Sequence, residues 1–154
     1  MELKIEIPQK EDWKRVNELA KQVHELHVQW RPDLFFSVEN VIEKEDFERL
    51  VEDNEIIVAK LKNEIVGYMV FNIREIIRTT MRYRKQLDIE VICVEEKSRG
   101  KGAGTSLLEY AKKIGEENSC TDIYLTVNEE NSGAIKLYEK FGLKVKNIAY
   151  SMEI

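Results

Sequence analysis

A chain of 154 residues with 43% hydrophobic and 34% charged side chains has a globular composition and a length that suits one core, so a single domain over residues 1–154 is expected. No apolar run approaches the roughly 18 residues of a membrane span, and a formal charge of −5 disfavours general nucleic-acid binding while mildly favouring cationic substrates. Cys93 and Cys120 have no C-x-x-C spacing and no nearby histidine pair, which excludes both zinc and a disulfide framework from the expectation.

The opening M-E-L-K-I-E-I has no charged segment followed by an apolar stretch, so the expected location is cytoplasmic. Within it Leu3, Ile5 and Ile7 alternate with Glu2, Lys4 and Glu6 up to Pro8, the pattern of a half-buried strand. From Glu11 to Trp30, Trp13, Val16, Ala20, Val23 and His27 or Trp30 recur at threes and fours, with Glu11 and Asp12 suited to a helix start. Arg31-Pro32-Asp33 breaks that helix, and E-D-F-E-R-L-V-E-D offers a second, short one. E-I-I-V-A-K-L, a turn at Lys62-Asn63-Glu64 and I-V-G-Y-M-V-F-N-I then read as a hairpin. The basic stretch from Arg74 to Lys85 carries no aromatic stacking pattern and is read as a solvated hairpin extension. L-D-I-E-V-I-C-V is a strand, followed by a helix from about Gly102 to Asn118 and a strand T-D-I-Y-L-T-V. N-S-G-A-I-K-L-Y-E-K-F is a helix ending at Gly142, and N-I-A-Y-S-M-E-I a closing strand. The strand–helix–strand unit around residues 87–127 requires a parallel pair, in a mixed sheet covered by helices.

Gly100, Gly102 and Gly104 fall between a strand and a helix N-terminus, where unpaired N–H groups and the helix dipole favour an anion such as phosphate. The spacing does not match G-x-G-x-x-G or G-x-x-x-x-G-K-[ST], which disfavours a dinucleotide or ATP site. Arg99-Gly100-Lys101-Gly102-Ala103-Gly104 resembles the R/Q-x-x-G-x-G/A signature of the GNAT superfamily, the GCN5-related N-acetyltransferases. Asn131 to Leu143, read as N-x-x-A-x-x-L-Y-E-K-x-G-L, resembles that family's second motif at its usual separation from the first.

The resemblance implies an α/β (α+β) fold: a mixed, mostly antiparallel central sheet flanked by helices, with a splayed parallel strand pair around the glycine-rich loop. It implies an acetyl-CoA-dependent N-acetyltransferase acting on a primary amine of a small molecule or peptide, by direct transfer in a ternary complex. The pyrophosphate would lie on backbone N–H groups from Arg99 through Gly100, Lys101, Gly102, Ala103 and Gly104 to Thr105, and the pantetheine arm along the main chain of Cys93, Val94 and Glu95. Cys93 is read as a buried thiol, because a catalytic one wants a basic neighbour.

By the same resemblance Tyr138 holds the family's tyrosine position, and a phenol protonated at neutral pH can donate to the departing thiolate. Glu90 stands where many relatives carry an acid that takes the amine proton, directly or through water, and Asp88, two residues earlier on the same face, matches the position used in histone-acetylating relatives. Asn131 caps its helix or bonds the pantetheine arm. Thr126 departs from the glutamate often found in protein N-terminal acetylating relatives, which lowers the case for a ribosomal-protein substrate. His24 and His27 lack a second ligand pair and read as pocket lining or packing, and Trp30, Phe35 and Phe36 fall where the superfamily builds its acceptor pocket. The expected partners are acetyl-CoA and an amine acceptor, with a homodimer admitted and neither nucleic acid nor membrane. A non-catalytic acyl-CoA-binding or regulatory module of the same fold is the rival reading.

Overall fold

The computed structural model describes residues 2–154. Strand β1 (Leu3–Glu6) half-buries Leu3 and Ile5 and exposes Lys4 and Glu6, and it pairs antiparallel with β2 (Ile56–Leu61). The turn from β2 into β3 (Glu64–Ile76) consists of Lys62 and Asn63 at φ 52° and 65°. Two successive left-handed residues make a type I′ turn, whose twist matches that of the flanking strands. Strands β3 and β4 (Arg84–Val94) form a long antiparallel hairpin, so the basic stretch is its solvated extension and tip, as its sequence suggested. The short strand β5 (Asp122–Tyr124) runs parallel to β4 and closes a sheet of order β1-β2-β3-β4-β5.

Two helical layers cover this mixed sheet. Helices α1 (Trp13–Trp30) and α2 (Lys44–Glu52) pack Val16, Leu19, Ala20 and Phe47 on one face, against Ile56, Val58, Tyr68 and Val70. On the other face α3 (Ala103–Glu117) and α4 (Ser132–Phe141) bring Leu107, Leu108, Ala111 and Tyr138 onto Ile57, Met69, Phe71, Leu87 and Ile89. Burying each of the larger side chains stabilises the fold by on the order of 1.5–3 kcal/mol. Among the described residues, no helix is long and apolar enough to cross a membrane.

Strand β4 keeps both layers supplied by means of a bulge. The register steps from Phe71↔Ile89 to Val70↔Val91, leaving Glu90 as the extra residue. Leu87 and Ile89 before the bulge, and Ile92 and Val94 after it, all face the α3 side, while Cys93 joins the α1 side. Two residues of one strand opposing a single partner re-aim the side chains there. At the far end of the hairpin a Cβ on Gly67 would stand 2.7 Å from the Cys93 carbonyl oxygen, so only glycine allows β3 to approach β4 that closely.

Two expectations need correction. The strand after α3 spans three residues rather than 121–127, because its parallel partner β4 is hydrogen-bonded to it only from Gln86 to Asp88. Residues 147–154 form no strand: their alternating apolar pattern is present, but no backbone hydrogen bond among the described residues reaches them.

Candidate active site

Past Asp88 and Tyr124 the parallel pair comes apart, and β4 runs on to Val94 bonded only to β3. At the end of β4 a 3₁₀ turn (Glu96–Ser98) leads through extended Arg99 into Gly100 at φ 78° and Gly102 at φ 88°. A left-handed backbone at both positions is open to glycine at little cost and strained for other residues. Gly102 then caps α3, its carbonyl accepting the first helical bond from Ser106 at 2.9 Å. The N–H groups of Gly100, Lys101, Gly102, Ala103, Gly104 and Thr105 have no backbone acceptor among the described residues. That of Arg99 is occupied, donating to Glu96 at 3.2 Å, while its side-chain Nε donates to the Val94 carbonyl at 3.2 Å. The glycines have different reasons: a Cβ at 100 or 102 would meet nothing within 4 Å, but one at Gly104 would lie 2.7 Å from Leu137 Cδ2. Gly104 therefore lets α4 pack tightly on α3.

What holds this loop is an ion pair that sequence reasoning did not find. Glu95, whose side chain is 7% exposed, takes Arg15 Nη2 at 2.9 Å on one oxygen and Ser98 Oγ at 3.0 Å on the other. Arg15 also donates from Nε to the Ile65 carbonyl, so α1, β3 and the start of the glycine loop meet at one carboxylate. Both backbone groups of Glu95 are engaged as well, its N–H with Val66 and its carbonyl with Ser98. The Arg15 hydrogen bond, with help from Ser98, holds the Glu95 carboxyl below the ordinary carboxylate range against the opposing effect of burial. A depressed folded pKa means that the pair stabilises fully above the ordinary value of 4.5 and that this contribution is lost as pH falls through the lower folded value. Glu95→Gln is expected to lower the melting temperature at neutral pH by on the order of 5 °C. Melting curves of the two proteins should converge as pH falls below that window; a difference unchanged down to the acid transition would rule the ion pair out as its source.

Tyr138, 8% exposed, stands on α4, which packs on the same face of the sheet as α3. The Asn131 side chain caps this helix by accepting from the Ala134 N–H at 3.2 Å, and Gly142 at φ 118° ends it. The Tyr138 hydroxyl makes no hydrogen bond within the described residues, and burial, with Cys93 nearby, pushes its pKa up to about 12. Cys93 is 3% exposed, donates to the Leu19 carbonyl at 3.5 Å, and is likewise pushed up to about 12 by burial. It is an inert thiol at neutral pH.

The two acids on β4 are held differently. Asp88, mostly buried, is paired with Arg74 Nη2 at 2.9 Å. Glu90, the bulge residue, is exposed and accepts a hydrogen bond from the neutral amide of Asn72, whose own Oδ1 is buried without a partner. Farther along the α1 face, His27 packs against Trp30 and Phe35 at ring separations of 5.6 and 5.5 Å, and His24 Nε2 lies 2.8 Å from the Phe36 carbonyl. Burial lowers the His27 pKa, with His24 adding to the effect. Both histidines thus take part in packing, and Phe36 is left 76% exposed beside them.

A mixed sheet whose parallel strands part beside a left-handed glycine turn makes this an α/β protein, and free N–H groups at a helix N-terminus favour an anion. The chain belongs to the acetyltransferase (GNAT) family, whose family model matches residues 16–143. It is 34% identical over 91 residues to an N-alpha-acetyltransferase of Sulfurisphaera tokodaii, covering 56% of this chain and 54% of that one. An uncharacterized N-acetyltransferase of Methanocaldococcus jannaschii is 30% identical over 101 residues, 63% of this chain and 42% of its own length. The chain thus spans about half the length of these curated relatives. Among solved structures, a mutant of the BH1408 protein from Bacillus halodurans superposes with a TM-score of 0.92 at 26% identity, covering 100% of this chain and 99% of that one.

Proposed function

We propose that this chain is an N-acetyltransferase, one catalytic unit that moves an acetyl group from acetyl-CoA directly to a primary amine of a small molecule or peptide, in the cytoplasm. The observation that carries the reading is the row of free amides from Gly100 to Thr105 beside the opened strands, with a protonated Tyr138 on α4 near Cys93 of β4. The amides fit a pyrophosphate, because they converge at a helix N-terminus where glycine leaves the approach clear. Cys93 and Val94 offer main chain along the gap, Arg99 and Glu95 fix the loop from either side, and Asn131 orients the helix that carries Tyr138.

Bound there, acetyl-CoA supplies a thioester carbonyl that a neutral amine can attack. Glu90 takes the amine proton, directly or through a water, and Tyr138 gives its hydroxyl proton to the sulfur as the C–S bond breaks. Glu90 is preferred to Asp88 because a guanidinium already holds Asp88, whereas the partner of Glu90 is an uncharged amide in an exposed bulge. The net acidity of the chain suits a cationic acceptor.

The test is release of free CoA thiol from acetyl-CoA against a panel of polyamines, aminoglycosides, amino acids and peptide N-termini. Turnover with at least one acceptor is expected. Tight acetyl-CoA binding with no release across the panel would favour the non-catalytic acyl-CoA-binding module instead. With an active acceptor, Glu90→Gln should slow turnover by on the order of 10²-fold at neutral pH. The deficit should shrink as pH approaches the amine pKa, about 10.4 for a lysine-like acceptor, because free amine then needs no base. A silent Glu90→Gln with a slow Asp88→Asn would move the base two residues along the strand.

A further inference from the structure

Phe71 and Ile73 of β3 face the α3 layer, so Asn72 and Arg74 lie on the opposite face of the sheet. From there the strand reaches toward β4 on two successive diagonals. Arg74 stands opposite Gln86 in the register and meets Asp88 at 2.9 Å, while Asn72 stands opposite Asp88 and meets Glu90 at 2.5 Å. The two acids are held alike in geometry and unlike in charge, one by a guanidinium and the other by a neutral amide.

Little else fixes Glu90. As the bulge residue it falls between the pairs Phe71↔Ile89 and Val70↔Val91, it is exposed, and the Asn72 amide is its one side-chain partner among the described residues. An exposed glutamate without that partner would spread over many rotamers. The amide itself is aimed at a cost to the fold. Its Oδ1 is buried with no hydrogen-bond partner, the one such side-chain atom among the described residues. A lone buried acceptor is unfavourable, and an apolar side chain of similar size would remove it. Turning the amide over is no remedy, because Oδ1 would then face the carboxylate, acceptor against acceptor. The bond to Glu90 therefore fixes the sense of the amide and leaves its carbonyl end orphaned.

We infer that Asn72 is a positioning residue for acetyl transfer: its Nδ2 holds one oxygen of Glu90 in the bulge, so that the other is presented to the acceptor amine or to a bridging water. The inference rests on the reading of Glu90 as the base. A neutral donor suits the task. A cation at position 72 would orient the carboxylate but also stabilise its charged form and make it a poorer base, whereas an amide orients it without that charge.

The experiment is a mutant cycle between Asn72→Val and Glu90→Gln, read with an active acceptor. Asn72→Val alone should lower kcat about tenfold, part of the effect of a general base, with KM for acetyl-CoA unchanged. Added to Glu90→Gln it should slow turnover little further, since no base is left to place. The melting temperature of Asn72→Val should equal or exceed that of the parent, because the orphaned acceptor is gone. An asparagine that only supports the fold would instead lower the melting temperature and slow both backgrounds by the same factor. Parental kcat in Asn72→Val, or an equal loss in both backgrounds, overturns the inference and leaves Glu90 as the base. A silent Glu90→Gln, or a chain with no active acceptor, overturns it together with the reading on which it rests. Side-chain amide NMR reads the contact in the parent protein, without turnover and without a variant at position 72. Glu90→Ala should shift the Asn72 amide signals and speed their exchange with water; signals that stay where they are would mean that the bond is not made, and the inference falls.

Discussion

Gly102→Val is expected to remove most of the affinity for acetyl-CoA while leaving a folded protein. Gly102 sits at φ 88° with open space where a Cβ would go, so a β-branched side chain there strains the backbone and stands in front of the free amides. The left-handed conformation alone costs a non-glycine residue roughly 1–2 kcal/mol. Losing one or two charge-assisted N–H bonds to phosphate, at about 1.5–3 kcal/mol each, raises the dissociation constant on the order of 10²-fold or more. Calorimetry with acetyl-CoA measures this, and circular dichroism checks the fold. Gly104→Ala is the control, because its Cβ would strike Leu137 rather than enter the open space. It should lower the melting temperature and leave the dissociation constant near that of the parent. If folded Gly102→Val binds as tightly as the parent, the loop does not hold the pyrophosphate.

The contrast between those two glycines marks what a sequence can carry. Both belong to one short motif and look alike in it, yet Gly102 serves a backbone angle and Gly104 a contact with a side chain 33 positions away. Local signals were read well: the periodicity of α1 and α3, the Lys62-Asn63 turn, the Asn131 cap and the Gly142 stop all follow from neighbours within a few residues. The Arg15–Glu95 pair spans 80 positions, and the bulge at Glu90 exists only relative to β3. Neither leaves a local trace. The Asn72–Glu90 bond is a consequence of the same bulge and was equally hidden.

Residues 147–154 show the opposite failure. Alternation at Ile148, Tyr150, Met152 and Ile154 is a sound signal of strand-like chain. A strand, however, is defined by its partner, and within one described chain the segment finds none.

Tyr138→Phe is expected to separate binding from chemistry. The ring and its packing against the α3 side of the core remain, and the hydroxyl makes no hydrogen bond whose loss would destabilise the fold, so stability should change little. Acetyl-CoA affinity should persist, since the phosphate-binding amides lie on a different element. Turnover should fall on the order of 10²–10⁴-fold, the range typical of a general acid. The pH dependence adds a second signature. A phenol with its ordinary pKa of 10.0 would begin to ionise in alkaline buffer and stop donating, but burial raises Tyr138 to about 12. Its proton is therefore present throughout the range in which the amine becomes free, and the parent rate should not decline as pH passes 10. A decline centred near 10 that Tyr138→Phe abolishes would mean that the phenol is more hydrated than its burial implies. An active acceptor whose turnover survives Tyr138→Phe unchanged would remove the proton donor from the mechanism and leave the acetyl-CoA site standing without it.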